Sequence, residues 1–414
     1  MPHEAPTLRT YLGISVFYFA LAFFWGAMLV QVVPHRVLEL VGDKEKDHFL
    51  ALVQSTGAFV SGVTQIIFGA LSDNTTLRMG RRKPYLIGGV LLTSVVLLFL
   101  PQANTVGALL AVYIGIQLFL NIAHGPYQAL MPDMIPADHH GRASSFMGVS
   151  SLLGRIGGPL TGAILLQGPN GLQHLTIVFV ALLNVLMLVN VFLLKETRLE
   201  RGDGVGKTLR GLTSVPLRPF PDFNWLLISR FGIMLGVYTI LPFLEYYVKD
   251  ALGVPKSNVL HVVMLFMVIA TVSGLFGVIA AGIASDRHSK KRILFVANGI
   301  SIVAAIGFAF AQNTTQAYVA IAIYGAGAGT FAAVDWALAA GLLPPGAPAK
   351  YLGIWSLSDT MPQVVAPLIA GPVAAHFNAQ MAGSGYRWLM APAVLYFALG
   401  TVAIAFVHEK RVVA

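Results

Sequence analysis

The sequence predicts an all-α membrane protein with twelve transmembrane helices in two pseudo-symmetric six-helix halves. Of its 414 residues, 56% are hydrophobic and only 11% are charged, and the mean hydropathy is +0.73. A soluble domain carries about 25% charged residues, so this composition excludes a soluble fold. A basic cluster after Asp73 recurs in a weaker form after Asp286, and this repetition predicts the two halves.

Twelve apolar segments are long enough to cross a bilayer, which takes about 20 helical residues. They are residues 12–33, 48–71, 85–101, 106–131, 144–167, 173–194, 224–247, 259–283, 292–311, 316–343, 351–374 and 388–407. Residues 195–223 are rich in basic residues and proline and contain few apolar runs. The sequence therefore predicts an N-terminal half (1–194), a cytoplasmic linker (195–223) and a C-terminal half (224–414).

The distribution of basic residues predicts the orientation of the chain. Most of the 27 lysine and arginine residues fall in connections on the same side as both termini, and basic loops beside short spans lie on the cytoplasmic side. We therefore expect a multi-pass protein of the cell membrane with both termini cytoplasmic. The net charge of +9 then suits anionic lipid headgroups and does not indicate a nucleic-acid partner.

The two halves correspond in sequence, since Asp73 matches Asp286 and Gly148 matches Gly353. Two six-helix repeats are typical of transporters that alternate access around a midplane site. The sequence has no cysteine, no metal-ligand cluster, no glycine-rich phosphate loop and no nucleophile motif. We therefore expect neither an enzyme nor a cofactor, and we expect transport of a small molecule driven by a gradient.

The loop from Gly69 to Pro84, GALSDNTTLRMGRRKP, resembles the best-known motif of the major facilitator superfamily, and the resemblance extends over nearly the whole chain. Six residues separate Asp73 from Gly80, where most members have fewer. This longer form, and the stretch from Asn121 to Asp133, look like the glycoside–pentoside–hexuronide and sucrose-type cation symporters. The resemblance implies symport of a sugar or glycoside with a proton or sodium ion.

A second resemblance keeps an alternative open. The stretch from Gly154 to Gly162 resembles part of the Gly-Pro motif of drug–proton antiporters, although Ala163 stands where a second glycine is common. The alternative function is therefore a proton-coupled antiporter that exports drugs or amphipathic metabolites.

Two acidic residues within predicted spans are candidates for ion coupling, because ionisable groups in the membrane usually face a cavity or a partner. Asp335 is the first candidate to carry the proton or cation, and Asp359 is the second. The alternative is a static ion pair, for which Arg155 is a candidate partner. We also expect Arg155 to take a substrate or gating role, since its planar donor fork can hold hydroxyls or anions.

Amides, hydroxyls and aromatic faces on the spans suit a sugar, although the same groups also hold helices together. The predicted substrate-binding residues are Asn121, His124, Tyr127, Gln128, Arg155, Trp336, Tyr238, Gln54 and Gln31. The predicted gating residues on the cytoplasmic side are Asp73, Arg78, Arg81, Arg82, Asp133, Arg142 and Asp286. Their alternative role is to hold the loops inside. Glu245 marks an outer gate or a solvated rim near the outer end of the seventh span.

Overall fold

The computed structural model describes residues 6–136, 139–194, 196, 220–285, 288–342 and 348–408, and these residues form helices with no strand among them. The chain divides into two compact units. The first unit comprises Met1–Val32 and Thr56–Thr213, and the second comprises Val33–Ser55 and Ser214–Ala414. The segment Val33–Ser55 thus belongs to the first predicted half by sequence and to the second unit by its contacts.

The first unit is built on a run of helices joined by short connections. They are α1 (Leu8–Ala27, continued by a π-helical turn Met28–Val32), α2 (Val33–Asp73), α3 (Lys83–Leu97), α4 (Val106–Gln128), α5 (Leu130–Met134), α6 (His140–Leu165) and α7 (Gly171–Leu193). Local chemistry fixes where they begin. Thr105, for example, starts α4 because its hydroxyl accepts a hydrogen bond from the Ala108 N–H at 3.1 Å, which satisfies an N–H that the helix leaves free.

The helix α2 contributes to both units and is broken near its first third. Gly42 has φ +69° and ψ −172°, a backbone conformation that only glycine adopts without strain. The break lies between the two predicted spans 12–33 and 48–71. Residues on either side of Gly42 are helical, so the predicted connection between these spans is itself helical around a single kink.

The second unit continues with helices of the same kind. They are α8 (Pro221–Ile240), α9 (Leu244–Tyr246), α10 (Lys256–Ser285), α11 (Lys290–Phe310), α12 (Thr314–Leu342), α13 (Pro348–Gln380), α14 (Ser384–Trp388) and α15 (Met390–Ala405). A 3₁₀ turn (Leu241–Phe243) precedes α9, and a π-helical turn (Tyr247–Ala251) follows it.

Helix occupies most of each of the twelve segments predicted from the sequence, as far as the structure describes them. Among the described residues, eight helices are long and apolar enough to cross a membrane. The all-α, multi-pass membrane fold is thereby confirmed, and the number of twelve spans stays a prediction.

Glycines bring helices into close contact within each unit. A Cβ on Gly158 of α6 would lie 2.0 Å from the carbonyl oxygen of Phe23 in α1, and a Cβ on Gly154 would lie 2.6 Å from that of Phe19. In the second unit, a Cβ on Gly277 of α10 would lie 2.1 Å from the carbonyl oxygen of Ala326 in α12. Small residues at such contacts let backbones approach and pack tightly in the membrane.

A lysine caps the last described helix of each unit in the same way. In the first unit, the Lys83 ammonium donates to the carbonyl oxygen of Leu194, just past the end of α7, at 2.7 Å. In the second, the Lys291 ammonium donates to the carbonyl oxygens of Ala405 and Val407 at 2.6 and 2.8 Å. A cation at a helix C-terminus satisfies free carbonyls and the helix dipole. This shared contact supports the repeat predicted from the sequence.

We expect Gly158→Ala to destabilise the first unit by about 1–3 kcal/mol, because the added methyl group forces α6 away from the backbone of α1. Gly148→Ala in the same helix is the matched control, since a Cβ there meets no atom within 4 Å. Thermal unfolding of the detergent-solubilised variants measures the difference. Equal unfolding temperatures for the two variants would contradict the tight contact.

Candidate functional site

A buried ion pair joins two membrane-spanning segments of the second unit. One guanidinium nitrogen of Arg230, in α8, pairs with the Asp335 carboxylate in α12. The other terminal nitrogen lies 3.9 Å from Oδ1 of Asp359 in α13. The Asp335 side chain is 2% exposed, that of Arg230 18% and that of Asp359 34%. The three helices therefore bring one cation and two acids together, and the three side chains differ in how far they are exposed.

Neighbouring side chains fix the position of the Arg230 guanidinium. Its central carbon lies 4.5 Å from the centre of the Trp355 ring, a cation–π contact that favours Arg over a smaller cation. Trp355 is itself buried in the apolar core of the second unit. The Gln363 amide donates to the Asp359 carboxylate at 3.3 Å, so the second acid is also oriented.

The ionised form of Asp335 depends on Arg230 for its stabilisation. Its Oδ1 atom has no hydrogen-bond partner among the described residues, and an unpaired ionised carboxylate is very costly to bury. Burial disfavours the ionised form and the adjacent guanidinium favours it. The ionised state of Asp335 therefore depends on the position of Arg230.

The structure corrects the expected partner of Asp335. The sequence offered Arg155 for a static ion pair, whereas the carboxylate pairs with Arg230, a residue to which the sequence assigned no role. The rule that singled out Arg155, a charge inside a predicted span, applies equally to Arg230. Arg155 lies on an exposed position of α6 in the first unit, and no ion pair of its side chain is described. Its substrate role stays a prediction.

A chain of amides connects α2 and α4 in the first unit. The Gln65 amide donates to Oδ1 of Asn121 at 2.7 Å, and the Asn121 amide donates to Oε1 of Gln117 at 3.1 Å. The Gln117 amide in turn donates to the Tyr113 hydroxyl at 2.9 Å. Asn121 is 1% exposed. These contacts support the helix-packing role that the sequence left open for Asn121.

The other predicted substrate residues are distributed over both units. In the first unit, the buried Tyr127 hydroxyl donates to the carbonyl oxygen of Ile14, and the His124 ring nitrogen lies 3.1 Å from the Gln128 amide nitrogen. Gln31 and Gln54 are buried, and Tyr238 is half-buried. The Trp336 side chain lies outside what the structure describes.

An ion-pair cluster lies in the loop region between α2 and α3, at the predicted cytoplasmic end. Arg82 is 3% exposed and pairs with Asp73 at 2.5 Å and with Asp133 at 3.0 Å. Arg81 also pairs with Asp133. Two of the predicted gating side chains, those of Arg81 and Arg82, thus converge on Asp133, which lies in α5.

Glu196, which was not among the candidates predicted from the sequence, contacts the same loop. Its carboxylate accepts hydrogen bonds from the backbone N–H groups of Arg82 at 2.8 Å and Lys83 at 3.1 Å, at the start of α3. Burial raises the pKa of the Glu196 carboxyl and outweighs these hydrogen bonds and the nearby charges of Arg82 and Lys83. Gly80 makes room, because it has φ +105° and its Cβ would lie 2.5 Å from Oε2 of Glu196.

The remaining gating candidates differ from one another. The Arg142 guanidinium lies over the Tyr11 ring, 5.2 Å from its centre. Arg78 is exposed, and Asp286 lies outside the described residues. The gating roles themselves stay predictions.

Apolar helices in two units, with a charged cluster inside spanning segments, define a polytopic membrane transporter. Residues 5–367 and 226–413 match the sequence profile of the Major Facilitator Superfamily. The chain belongs to this superfamily and is a transporter, not an enzyme.

Two similar proteins carry the name of multidrug resistance proteins. The Multidrug resistance protein MdtG of Klebsiella pneumoniae (strain 342) is 26% identical over 305 residues, which cover 71% of this chain and 70% of that protein. The same protein of Salmonella paratyphi C (strain RKS4594) is 25% identical over 305 residues, or 71% and 72% of the two chains.

Solved structures share the fold at low sequence identity. A mutant of the nucleoside transporter NupG has a TM-score of 0.77 at 13% identity and covers 97% of this chain and 100% of its own. A bacterial homologue of the human lysosomal transporter Spinster, inward-facing and occupied, has a TM-score of 0.74 at 14% identity, with coverage of 98% and 97%. The superfamily fold is thereby confirmed, and the sugar-symporter resemblance is not.

We expect Arg230→Gln to lower the free energy of unfolding by about 3–5 kcal/mol, because it leaves the Asp335 carboxylate buried without its cation. The double variant Arg230→Gln/Asp335→Asn removes both charges and should recover part of the loss. Arg155→Gln is the control, since its side chain is exposed and has no described ion pair. Thermal unfolding of the wild type and the three variants in detergent measures these differences. An unfolding temperature of Arg230→Gln equal to that of the wild type would contradict the dependence of Asp335 on Arg230.

The raised pKa of Glu196 gives its contribution a definite pH dependence. The folded protein binds this proton more tightly than the unfolded chain does. The contribution of protonated Glu196 to the free energy of unfolding is therefore fully present below the pKa of the unfolded chain. It is lost as pH rises through the pKa of the folded protein. From about pH 4 to about pH 7, the unfolding temperature of the wild type should therefore fall relative to that of Glu196→Gln. A constant difference between the two proteins across this range would refute the linkage.

Proposed function

We propose that this transporter exports amphipathic compounds in exchange for protons, and that Asp335 carries the exchanged proton. The observation that carries this proposal is the Arg230–Asp335 pair, which is buried within spanning segments and in which Oδ1 of Asp335 has no hydrogen-bond partner among the described residues. A buried charge pair whose members also face another acid, Asp359, is suited to change its protonation during a cycle.

Coupling follows from the competition for Arg230. With Asp335 ionised, the guanidinium is held between the carboxylate and the Trp355 ring. Protonation of Asp335 weakens this pair and lets the guanidinium turn to Asp359, whereas the substrate binds the other state, in which Asp335 is ionised and paired with Arg230. A proton shifts the conformational equilibrium only through such a difference in affinity between two states. Asp359 is the second candidate for the same role.

Two observations favour amphipathic compounds as the substrate class. The MdtG proteins, which are similar over 71% of this chain, carry the name of multidrug resistance proteins. In addition, Asn121 and Tyr127, two groups predicted to bind sugar hydroxyls, make hydrogen bonds inside the first unit. An aromatic face such as that of Trp355 beside a cation and an acid suits a ligand with both apolar and polar parts.

Proton- or cation-coupled symport of a sugar or glycoside is the second candidate. It is favoured by the long spacing from Asp73 to Gly80 and by the stretch Asn121–Asp133, the two features that resemble sugar symporters. Sugars should then raise the unfolding temperature of the purified protein, whereas amphipathic compounds should do so under the first proposal. Proteoliposomes would accumulate sugar along an inward proton gradient only under the second.

The protein should span the cell membrane with both termini cytoplasmic, as its basic loops predict. In that orientation the cluster of Arg81, Arg82, Asp73 and Asp133 faces the cytoplasm, and we propose that these ion pairs break and re-form as access alternates. Arg78, Arg142 and Asp286 are proposed to contribute to the same gate.

We expect Asp335→Asn to abolish proton-driven movement of a fluorescent amphipathic dye in proteoliposomes while dye binding persists, because an amide cannot carry the proton. Asp222→Asn, at the start of α8 and paired with the exposed His408, is the matched acid-to-amide control and should transport normally. Gradient-driven transport by Asp335→Asn at the wild-type rate would rule out the assignment. If the wild type binds no dye and its unfolding temperature is raised by sugars, symport is favoured.

A further inference from the structure

A second cluster of charged side chains lies in the second unit, at the end predicted to face outward. His35 of α2 lies between two carboxylates: its Nδ1 is 3.1 Å from Oε1 of Glu245 in α9, and its Nε2 is 3.3 Å from Oε1 of Glu39. Arg36 pairs with the other oxygen of Glu39 at 2.7 Å. The proposed transport mechanism uses none of these groups.

The geometry at His35 requires a bound proton. A neutral imidazole has one N–H and one bare nitrogen, whereas the protonated ring donates from both nitrogens. Both ring nitrogens of His35 lie within reach of a carboxylate oxygen, which has no proton to give when ionised. Both contacts are therefore favourable only when the site holds a proton, on the ring or on one of the two facing carboxyl groups.

Burial strengthens this requirement. Glu245 is 2% exposed, and its Oε2 atom has no hydrogen-bond partner among the described residues. With His35 protonated, the positive charges of His35 and Arg36 balance the negative charges of Glu39 and Glu245. Loss of the proton leaves one net negative charge in a poorly hydrated place, which is costly.

The surrounding charged and polar groups are engaged with one another. Those on the adjoining parts of α2, the turn after α9, and helices α13 and α14 are Asp43, Lys46, Asp47, Lys249, Asp250, Asn378 and Tyr386. Lys46 pairs with Asp43 at 2.6 Å and with Asp250. Lys249 pairs with Asp43 at 2.5 Å, and Asp47 accepts hydrogen bonds from Tyr386 at 2.8 Å and Asn378 at 3.0 Å.

The cluster fastens a segment that the chain brings from the first half. The segment Val33–Ser55 precedes the part of α2 that belongs to the first unit. Besides the His35–Glu245 contact, the Tyr246 hydroxyl donates to the carbonyl oxygen of Pro34 at 2.8 Å. A change at His35 therefore acts directly on how firmly this segment is held.

We propose that His35, Glu39 and Glu245 form a second proton-binding site, separate from Asp335, and that its proton fastens Val33–Ser55 to the second unit. Loss of the proton breaks one of the two contacts of His35, returns the proton to water and loosens the segment. The site makes this attachment sensitive to pH on the predicted outer side. It does not depend on the proposed substrate or on Asp335.

The absence of cysteine from the sequence allows a direct test in the full-length protein. Ser55→Cys places a thiol at a buried position, 2% exposed, at the end of the fastened segment. Lys44→Cys places one at an exposed position of the same segment and corrects for the effect of pH on the thiol itself. A maleimide reagent is applied to each purified protein at about pH 6 and about pH 9.

We expect labelling of Ser55→Cys, relative to Lys44→Cys, to increase about tenfold at the higher pH, as for the loss of one hydrogen bond between charged groups. In the Ser55→Cys background, His35→Arg keeps a permanent charge and should hold the labelling low at both pH values. Glu245→Gln should raise it at both. His408→Asn, at the other end of the second unit, should leave the pH response intact.

Three outcomes would overturn the proposal. Relative labelling that does not change with pH would show that no proton holds the segment. A pH response that survives in His35→Arg would place the titrating group elsewhere, and one that disappears in His408→Asn would do the same. Since the assay needs no transport, it can fail while the proposed function holds, and the reverse is also possible.

Discussion

The cost of placing charge in hydrocarbon is the constraint on which the rest of this structure depends. The second unit meets it with the Arg230–Asp335 pair, in which a tryptophan face and a second acid complete the surroundings of the cation. Removing either partner leaves the other exposed to a large desolvation cost. The pair is therefore both a structural tie between α8 and α12 and a place where a proton changes the balance of forces.

The ends of the helices follow a related rule. Free carbonyl and N–H groups at helix ends need partners, and both units supply them from charged side chains: Lys83 and Lys291 at C-termini, and Glu196 at the start of α3. Because these contacts lie at the predicted cytoplasmic end, a basic loop that is predicted to set the orientation also holds helices in register. Within the helices, glycines such as Gly158 allow backbones to pack so closely that a larger side chain would not fit between them.

The sequence predicted the fold and singled out one member of the buried ion pair, for identifiable reasons. The length of the apolar segments and the basic loops predict the helices and the two halves. Asp335 stands out because an acid within a span is costly to place in the membrane. The partner of that acid did not follow, because pairing across helices depends on their rotation, and both Arg155 and Arg230 satisfied the same rule. Glu196 and His35 lay beside spans, where charge is ordinary, and only their three-dimensional neighbours make them notable. The amide of Asn121 had two open roles, and its contacts with Gln65 and Gln117 favour packing.

Proton release on substrate binding tests the central claim most directly. Purified protein in weakly buffered detergent solution is mixed with a binding amphipathic compound near neutral pH, and a pH indicator counts the protons. If substrate and proton compete through Arg230 and Asp335, about one proton should be released per bound molecule, and Asp335→Asn should release none while still binding. Binding without release by the wild type, or equal release by the variant, would contradict the account.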